Sequence, residues 1–250
     1  MRRSAGSQRD PVLLLISASA SLQKALQTAL VDSGFSLEGT QSAVETLARI
    51  RECRFDLVIL SVDLPEMSGL EVCRQGRSHA PELGIVMVTE QDSESEMVQA
   101  LEAGADDYVT MRFQFRDLTA RVRAVLRRTQ SDAAAEIHVL RAGDLEVDLH
   151  RRLLCRAGKI IHLTPTEFDL LVLLMKNEGA LLTHSKLLQT IWGPEYGEEL
   201  EYLRTYMRML RKKIEDDPAK PRYLFTEPWV GYRFCDPSNK SLFSKDQFSP

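Results

Sequence analysis

The sequence predicts an α/β protein, a doubly wound five-stranded parallel sheet followed by a smaller domain of short antiparallel strands and three helices. Three observations lead there. From Val12 to Arg128 short apolar runs alternate with amphipathic stretches, the pattern of βα units whose strands are covered on both faces. Beyond residue 136 the period shifts to brief alternating runs with Gly-bearing turns, which belongs to antiparallel pairing. A length of 250 residues suits two modest domains, each with its own core.

The elements follow in order. VLLLIS from Val12 precedes a helix in SLQKALQTALVDSG, and a strand around Phe35 to Glu38 leads to a helix over Ala43 to Arg51. DLVILS precedes SGLEVCRQGR, GIVMVT precedes SESEMVQALEAG, and DYVT precedes FRDLTARVRAVLRR. Gly34 and Gly104 fall where helix C-caps belong. The stretch 129–136, TQSDAAAE, has no apolar period and reads as a linker. HVLRAGDLEVDLHRRLLCRAGKIIHL then predicts small strands turning at Ala142-Gly143 and Ala157-Gly158. In LTPTEFDLL, Thr164 caps a helix, Pro165 suits its first position and Glu167 completes a capping box. A second helix runs from Thr183 to about Trp192 and a third over Glu199 to Glu215. A last hairpin lies within Tyr223 to Phe234, and the tail 236–250 reads as disordered.

Composition excludes several classes. Hydrophobic residues at 44% and charged residues at 27% are those of an ordinary globular protein. No apolar run approaches the roughly 18 residues of a membrane span, and Val12 to Ile16 is too short for a signal-peptide core. A cytoplasmic location is expected. Cys53, Cys73, Cys155 and Cys235 are scattered without metal-ligand spacing, so reduced small hydrophobes are expected and no metal or cofactor. With no Gly-rich phosphate loop and no nucleophile elbow, an enzyme is the least favoured class.

The most informative stretch is FDLVILSVDLPEMSG, residues 55–69. A buried parallel strand here ends at a Pro/Gly turn, and in open α/β sheets the crevice at that end is where chemistry sits. The segment resembles the third strand of bacterial response-regulator receiver domains, in which position 61 is the aspartate that takes a phosphoryl group from a histidine kinase. Here it is Ser61. Residues 11–128 as a whole resemble a receiver domain, which implies a flavodoxin-like, CheY-like sheet. Residues 137–235 resemble the winged helix-turn-helix effector of the OmpR/PhoB family through LTPTEFDLL, YLRTYMRMLRKKIEDDP and GYRF. Within that family the chain is most similar to KdpE-type regulators, through HLTPTEF, the WGPE turn and the wing ending in GYRF, which implies control of potassium-transport genes.

A receiver of this kind needs carboxylates at the end of its first strand to hold Mg²⁺ against the phosphoryl oxygens. The matching positions are Ser17 and Ala18, which supply no anionic oxygen. The lysine that reaches the phosphoryl group and the proline after it are replaced by Met111 and Arg112. Thr89 and Tyr108 match the family's switch pair, and serve equally as a loop-capping hydroxyl and a half-buried ring. Asp63, two positions beyond Ser61, is a substitute acceptor or a solvated loop carboxylate. The expectation is a pocket that neither binds Mg²⁺ nor accepts phosphate.

The family dimerises through the fourth helix, fifth strand and fifth helix, held by charge pairs. Asp106, Asp107, Asp117, Arg121 and Arg128 stand at matching positions, and Met97 replaces a usual lysine. Exposed ion pairs contribute only about 0–1 kcal/mol each, so an apolar replacement does not by itself weaken the interface. Dimerisation without phosphate is expected.

On the third effector helix, Leu203, Met207, Leu210 and Ile214 share one stripe. At roughly 100° per residue, Arg204, Thr205, Arg208, Arg211 and Lys212 fall on the outward half, as a helix entering the major groove requires. Between Leu200 and Cys235, eight Lys/Arg face five acids within a chain of net charge −4. Arg222 and Arg233 are expected to reach the DNA backbone or minor groove from the wing, whose turn Gly231 supports. Trp229 stands at the wing tip, where the family often has glycine, as a DNA contact or a packed ring. The loop 192–198 corresponds to the segment by which the family contacts RNA polymerase, and Glu195 and Glu198 give it acidic character. The reading is a dimeric, DNA-binding transcription regulator that acts without phosphorylation, and the altered pocket puts input from a histidine kinase in question. The alternative is a receiver whose emptied pocket senses a ligand or protein.

Overall fold

The computed structural model describes residues 11–52, 55–91, 93–111, 115–129, 139–197 and 199–239, excluding the side chains of 115–117, 128 and 129. Cys53, Arg112, Glu198, the stretch 130–136, the tail from 240, and the side chains of Asp117 and Arg128 therefore lie outside the described residues. The chain divides into two compact units, of which the second takes in Glu94–Glu102 together with the residues from Arg127 on.

In chain order the first elements are β1 (Val12–Ile16), α1 (Ala20–Asp32), β2 (Ser36–Thr40), α2 (Ala43–Arg51), β3 (Leu57–Ser61), α3 (Gly69–His79), β4 (Gly84–Thr89), α4 (Glu94–Glu102), β5 (Asp107–Thr110) and α5 (Phe115–Thr129). Thr129, expected to open a linker, instead closes α5. The strands form one parallel sheet in the order β2-β1-β3-β4-β5. All residues of β3, β4 and β5 are buried, as strands covered on both faces must be. Leu13, Leu15, Leu57, Ile59, Val86 and Val88 meet Leu26 and Leu30 of α1 and Val122 and Val125 of α5 in the core. Each such side chain contributes about 1.5–3 kcal/mol by burial. The crossover between β1 and β3 opens a crevice at the strands' carboxyl ends.

Local chemistry sets the helix ends. The hydroxyls of Ser19, Ser42 and Ser68 accept from Leu22, Glu45 and Leu70 backbone N–H groups. Gly34 follows α1 at φ +88°. The loop after β3 returns tightly: a Cβ on Gly69 would stand 2.1 Å from the Ser61 carbonyl oxygen, so only glycine fits there.

A buried charge holds the far side of the sheet. Arg77 donates to the carbonyls of Pro81, Leu83 and Gly104 and pairs with Asp106 at 2.7 Å. Asp106, fully buried, also accepts from the Ile85 N–H at 3.0 Å. Its expected place on a dimer face is corrected: this carboxylate closes the receiver fold from within.

The second unit carries a four-stranded antiparallel sheet of β6 (Val139–Ala142), β7 (Leu145–Asp148), β8 (Leu153–Arg156) and β9 (Lys159–Ile161). Three helices follow, α6 (Pro165–Lys176), α7 (His184–Ile191) and α8 (Leu200–Ile214). The Thr164–Glu167 capping box is present at α6, and Thr183 caps α7. β11 (Leu224–Glu227) and β12 (Gly231–Phe234) form the final hairpin. β10 (Leu181–Thr183) has no counterpart in the sequence reading; it pairs with β12, a partner whose register a three-residue run does not announce. Gly231 is needed where β12 passes β10, since a Cβ there would lie 1.9 Å from the Leu182 carbonyl oxygen. The residue in the left-handed region of the turn is Trp229, at φ +67°.

Candidate functional site

At the sheet's crevice the hydroxyls that remain are absorbed into local backbone turns. Ser17, fully buried at the end of β1, accepts from the Ser19 N–H at 3.2 Å. Thr89 accepts from the Gln91 N–H at 3.1 Å and is buried. Ser61 is buried, Ala18 is exposed, and Tyr108 is buried rather than half-exposed. Met111, at the lysine position, packs its thioether against the core made by α1, α5 and the sheet. Asp63 is exposed in the loop after β3. Positions 17, 18, 61 and 111 offer no anionic oxygen, and the single carboxylate of Asp63 does not make the set of anionic ligands that a hard divalent ion requires, so the residues present do not fit a Mg²⁺ site.

On the proposed dimer face, Met97 is half-buried. Asp107 accepts from the Tyr108 N–H and pairs with Arg121 at 3.2 Å within the same chain. A dimer using these two must exchange that pair or form beside it.

α8 separates its basic residues into two groups. Arg204, Arg208 and Lys212 are exposed, and Glu201, on the same half of the helix, pairs with Arg204. Arg211 instead turns to the wing, donating to the Leu224 carbonyl at 2.7 Å and the Thr226 hydroxyl at 2.8 Å. Burial lowers its pKa from the ordinary guanidinium value. Lys213 pairs at 2.5 Å with the buried Glu167 of the α6 capping box. Thr205 is 4% exposed despite its place on the outward half. Thr205 and Arg211 are thus corrected from the exposed set.

The wing is tied to α8 by a residue that sequence reasoning missed. Glu215, 5% exposed at the end of α8, accepts from the backbone N–H groups of Arg222, Tyr223 and Leu224 at 2.8, 3.0 and 2.9 Å. A carboxylate with several N–H donors is a strong anchor, but in sequence it was one more acid in a charged run. Tyr223 donates to Asp144 of the first effector turn, and burial with that bond pushes its hydroxyl up to about 12. Arg233, expected on DNA, pairs with Glu227 at 3.0 Å and donates to the Gly179 carbonyl at 2.7 Å, so it too is a wing-holding residue. Arg222 is exposed and pairs with Asp216 at 3.3 Å. Trp229 is 95% exposed, which excludes the packed-ring reading.

Between α7 and α8, Trp192 is buried amid Tyr196, Tyr202 and Tyr206, with ring centroids 6.3, 5.4 and 5.1 Å away. This cluster fixes the loop and leaves Glu195 exposed. Of the cysteines, Cys73 is buried and its thiol is pushed by desolvation up to about 12, the behaviour of a small hydrophobe.

Residues 13–123 match the family model of response regulator receiver domains, and residues 158–234 match that of the transcriptional regulatory protein C-terminal domain. The transcriptional regulatory protein KdpE of Mycobacterium tuberculosis is 39% identical over 89% of this chain and 98% of its own length. The chain belongs to the OmpR/PhoB family of response regulators. KdpE of Escherichia coli, the KDP operon transcriptional regulatory protein, is 36% identical over 89% of this chain and 98% of its own. The sensory transduction protein RegX3 of Mycolicibacterium smegmatis is 40% identical over 88% and 97%. A solved structure of a RitR mutant shares the fold with a TM-score of 0.73 at 24% identity, over 90% of this chain and 98% of that one. As an OmpR/PhoB response regulator the protein is a DNA-binding transcription regulator. No helix among the described residues is long and apolar enough to cross a membrane.

Proposed function

We propose that this OmpR/PhoB regulator binds its operators as a receiver-joined dimer without aspartyl phosphorylation, and that potassium-transport promoters are among its targets. The observation that carries the first part is the crevice: the Ser17 and Thr89 hydroxyls accept from adjacent backbone, and Met111, half-buried, packs against the core. Restoring the switch would take a nucleophile, metal ligands and a cation together, not one substitution. The likeness to two KdpE proteins supports the potassium-transport target.

Met97 in place of the lysine offers the fourth-helix face an apolar contact, and the Asp107–Arg121 pair supplies its polar edge. The loop braced by Trp192 offers RNA polymerase the carboxylate of Glu195. The test is footprinting on the promoter of the protein's own gene and on potassium-transport promoters, with light scattering at micromolar concentration, each with and without acetyl phosphate and Mg²⁺. Equal protection and a dimer in both arms are expected. A monomer, or a hydroxylamine-sensitive adduct on Asp63, would overturn the proposal. A metabolite that raises the melting temperature where Mg²⁺ with beryllofluoride does not would replace it with a ligand-gated receiver.

A further inference from the structure

The wing tip combines three features that the helix-reading function does not use. Trp229 exposes 95% of its surface, and Val230 beside it exposes 44%. Its backbone sits at φ +67°, a region that costs a bulky L-residue strain and costs glycine none. Nothing among the described residues repays that strain, because the ring is left 95% exposed beside them. A large apolar ring held in a strained conformation at an interaction surface points to a role outside the folded chain.

The tip's position says what it meets. One edge of the hairpin is bound to α8 through Arg211 on Leu224 and Thr226, and through Glu215 on three backbone N–H groups. The other edge is held by β10, where Gly231 lies under the Leu182 carbonyl and the His184 N–H donates to the Val230 carbonyl at 3.0 Å. The tip is therefore rigidly placed relative to Arg204, Arg208 and Lys212. The acid nearest it in sequence, Glu227, is paired with Arg233 at 3.0 Å, which offsets its repulsion of phosphate.

We propose that Trp229 is a DNA contact, an apolar wedge that lays its indole against deoxyribose and base edges of the minor groove flanking the site read by α8. Minor grooves accept apolar wedges of this kind, and the indole N–H can donate to the acceptors that all base pairs present there. Because the ring carries no charge, it supplies an affinity that salt does not screen, beside the arginine contacts that salt does. The proposal rests on the family's DNA binding and not on phosphorylation independence.

The experiment uses the full-length protein and a duplex that the wild type selects from a random-sequence library. Trp229→Gly suits the backbone and is expected to melt no lower than wild type. Its affinity should fall roughly tenfold, with the slope of log affinity against log salt unchanged, whereas Arg208→Ala should make that slope shallower. Trp229→Phe should recover most of the loss. The chain has two tryptophans and Trp192 is buried, so acrylamide quenching reports on Trp229 and should fall on binding the duplex. Affinity of Trp229→Gly within about twofold of wild type, or unchanged quenching in the complex, overturns the proposal, as does a loss that appears only when RNA polymerase is added. A wild type that selects no duplex overturns DNA binding itself, and that failure needs no substitution to be seen.

Discussion

The crevice of the receiver and the outer face of α8 began from the same kind of family template and stand in opposite conditions. At the crevice, side chains that face a phosphoryl group in relatives are turned inward, to backbone at Ser17 and Thr89 and to the core at Met111. On α8, Arg204, Arg208 and Lys212 stay exposed, in surface ion pairs with Glu201 and Glu102, while Arg211 and Lys213 hold the helix in place. Burial of β3 and β4, not the side chain at position 61, holds the sheet together.

The largest expected effect tests whether the buried Asp106 carboxylate holds the receiver fold together. Asp106→Ala leaves the Arg77 guanidinium buried without its counter-charge and should destabilise the receiver by about 3–5 kcal/mol in urea unfolding. Ser61→Ala should shift the same curve by no more than about 0.5 kcal/mol. Equal effects would erase the distinction between scaffold and lost chemistry.

On the effector, Arg208→Ala should cost about 1–3 kcal/mol of DNA affinity with little change in melting. Arg211→Ala should instead lower stability by about 1–2 kcal/mol as the Leu224 and Thr226 acceptors lose their donor. The reverse pattern would mean that Arg211 is the groove residue.

Ser61→Asp attempts to restore the crevice with one change. It should bring a carboxylate into a buried site without metal or lysine, lower the melting temperature modestly and give no hydroxylamine-sensitive adduct. Only Asp at positions 17, 18 and 61 combined with Lys at 111 should gain stabilisation from Mg²⁺. Labelling of the single variant would show the pocket to be one substitution from function.

The smallest effect concerns His184, whose pKa burial and the Arg204 guanidinium hold below its ordinary value of 6.5. The unfolded chain then binds the proton more readily, so stability rises with pH through this window and is lost as pH falls below 6.5 toward the folded value. His184→Gln should flatten that slope in thermal melts, and an unchanged slope would assign it to another group.

The sequence by itself determined the order of elements, because apolar period and capping chemistry are local. β4 and α2 fall where their patterns place them, and the Thr164–Glu167 box starts α6. It also determined that positions 17 and 61 carry hydroxyls, which cannot act as carboxylates wherever they point. The tertiary structure alone decided which charged groups are spent internally. Period places Arg211 and Thr205 on a helix face but does not say what lies over them, and nothing local reveals that Asp106 meets Arg77, that Glu215 anchors the wing, or that β10 pairs with β12. Those partners are distant in the chain, and the same distance hid why glycine is required at 231 and why a tryptophan, not a glycine, carries the strain at 229.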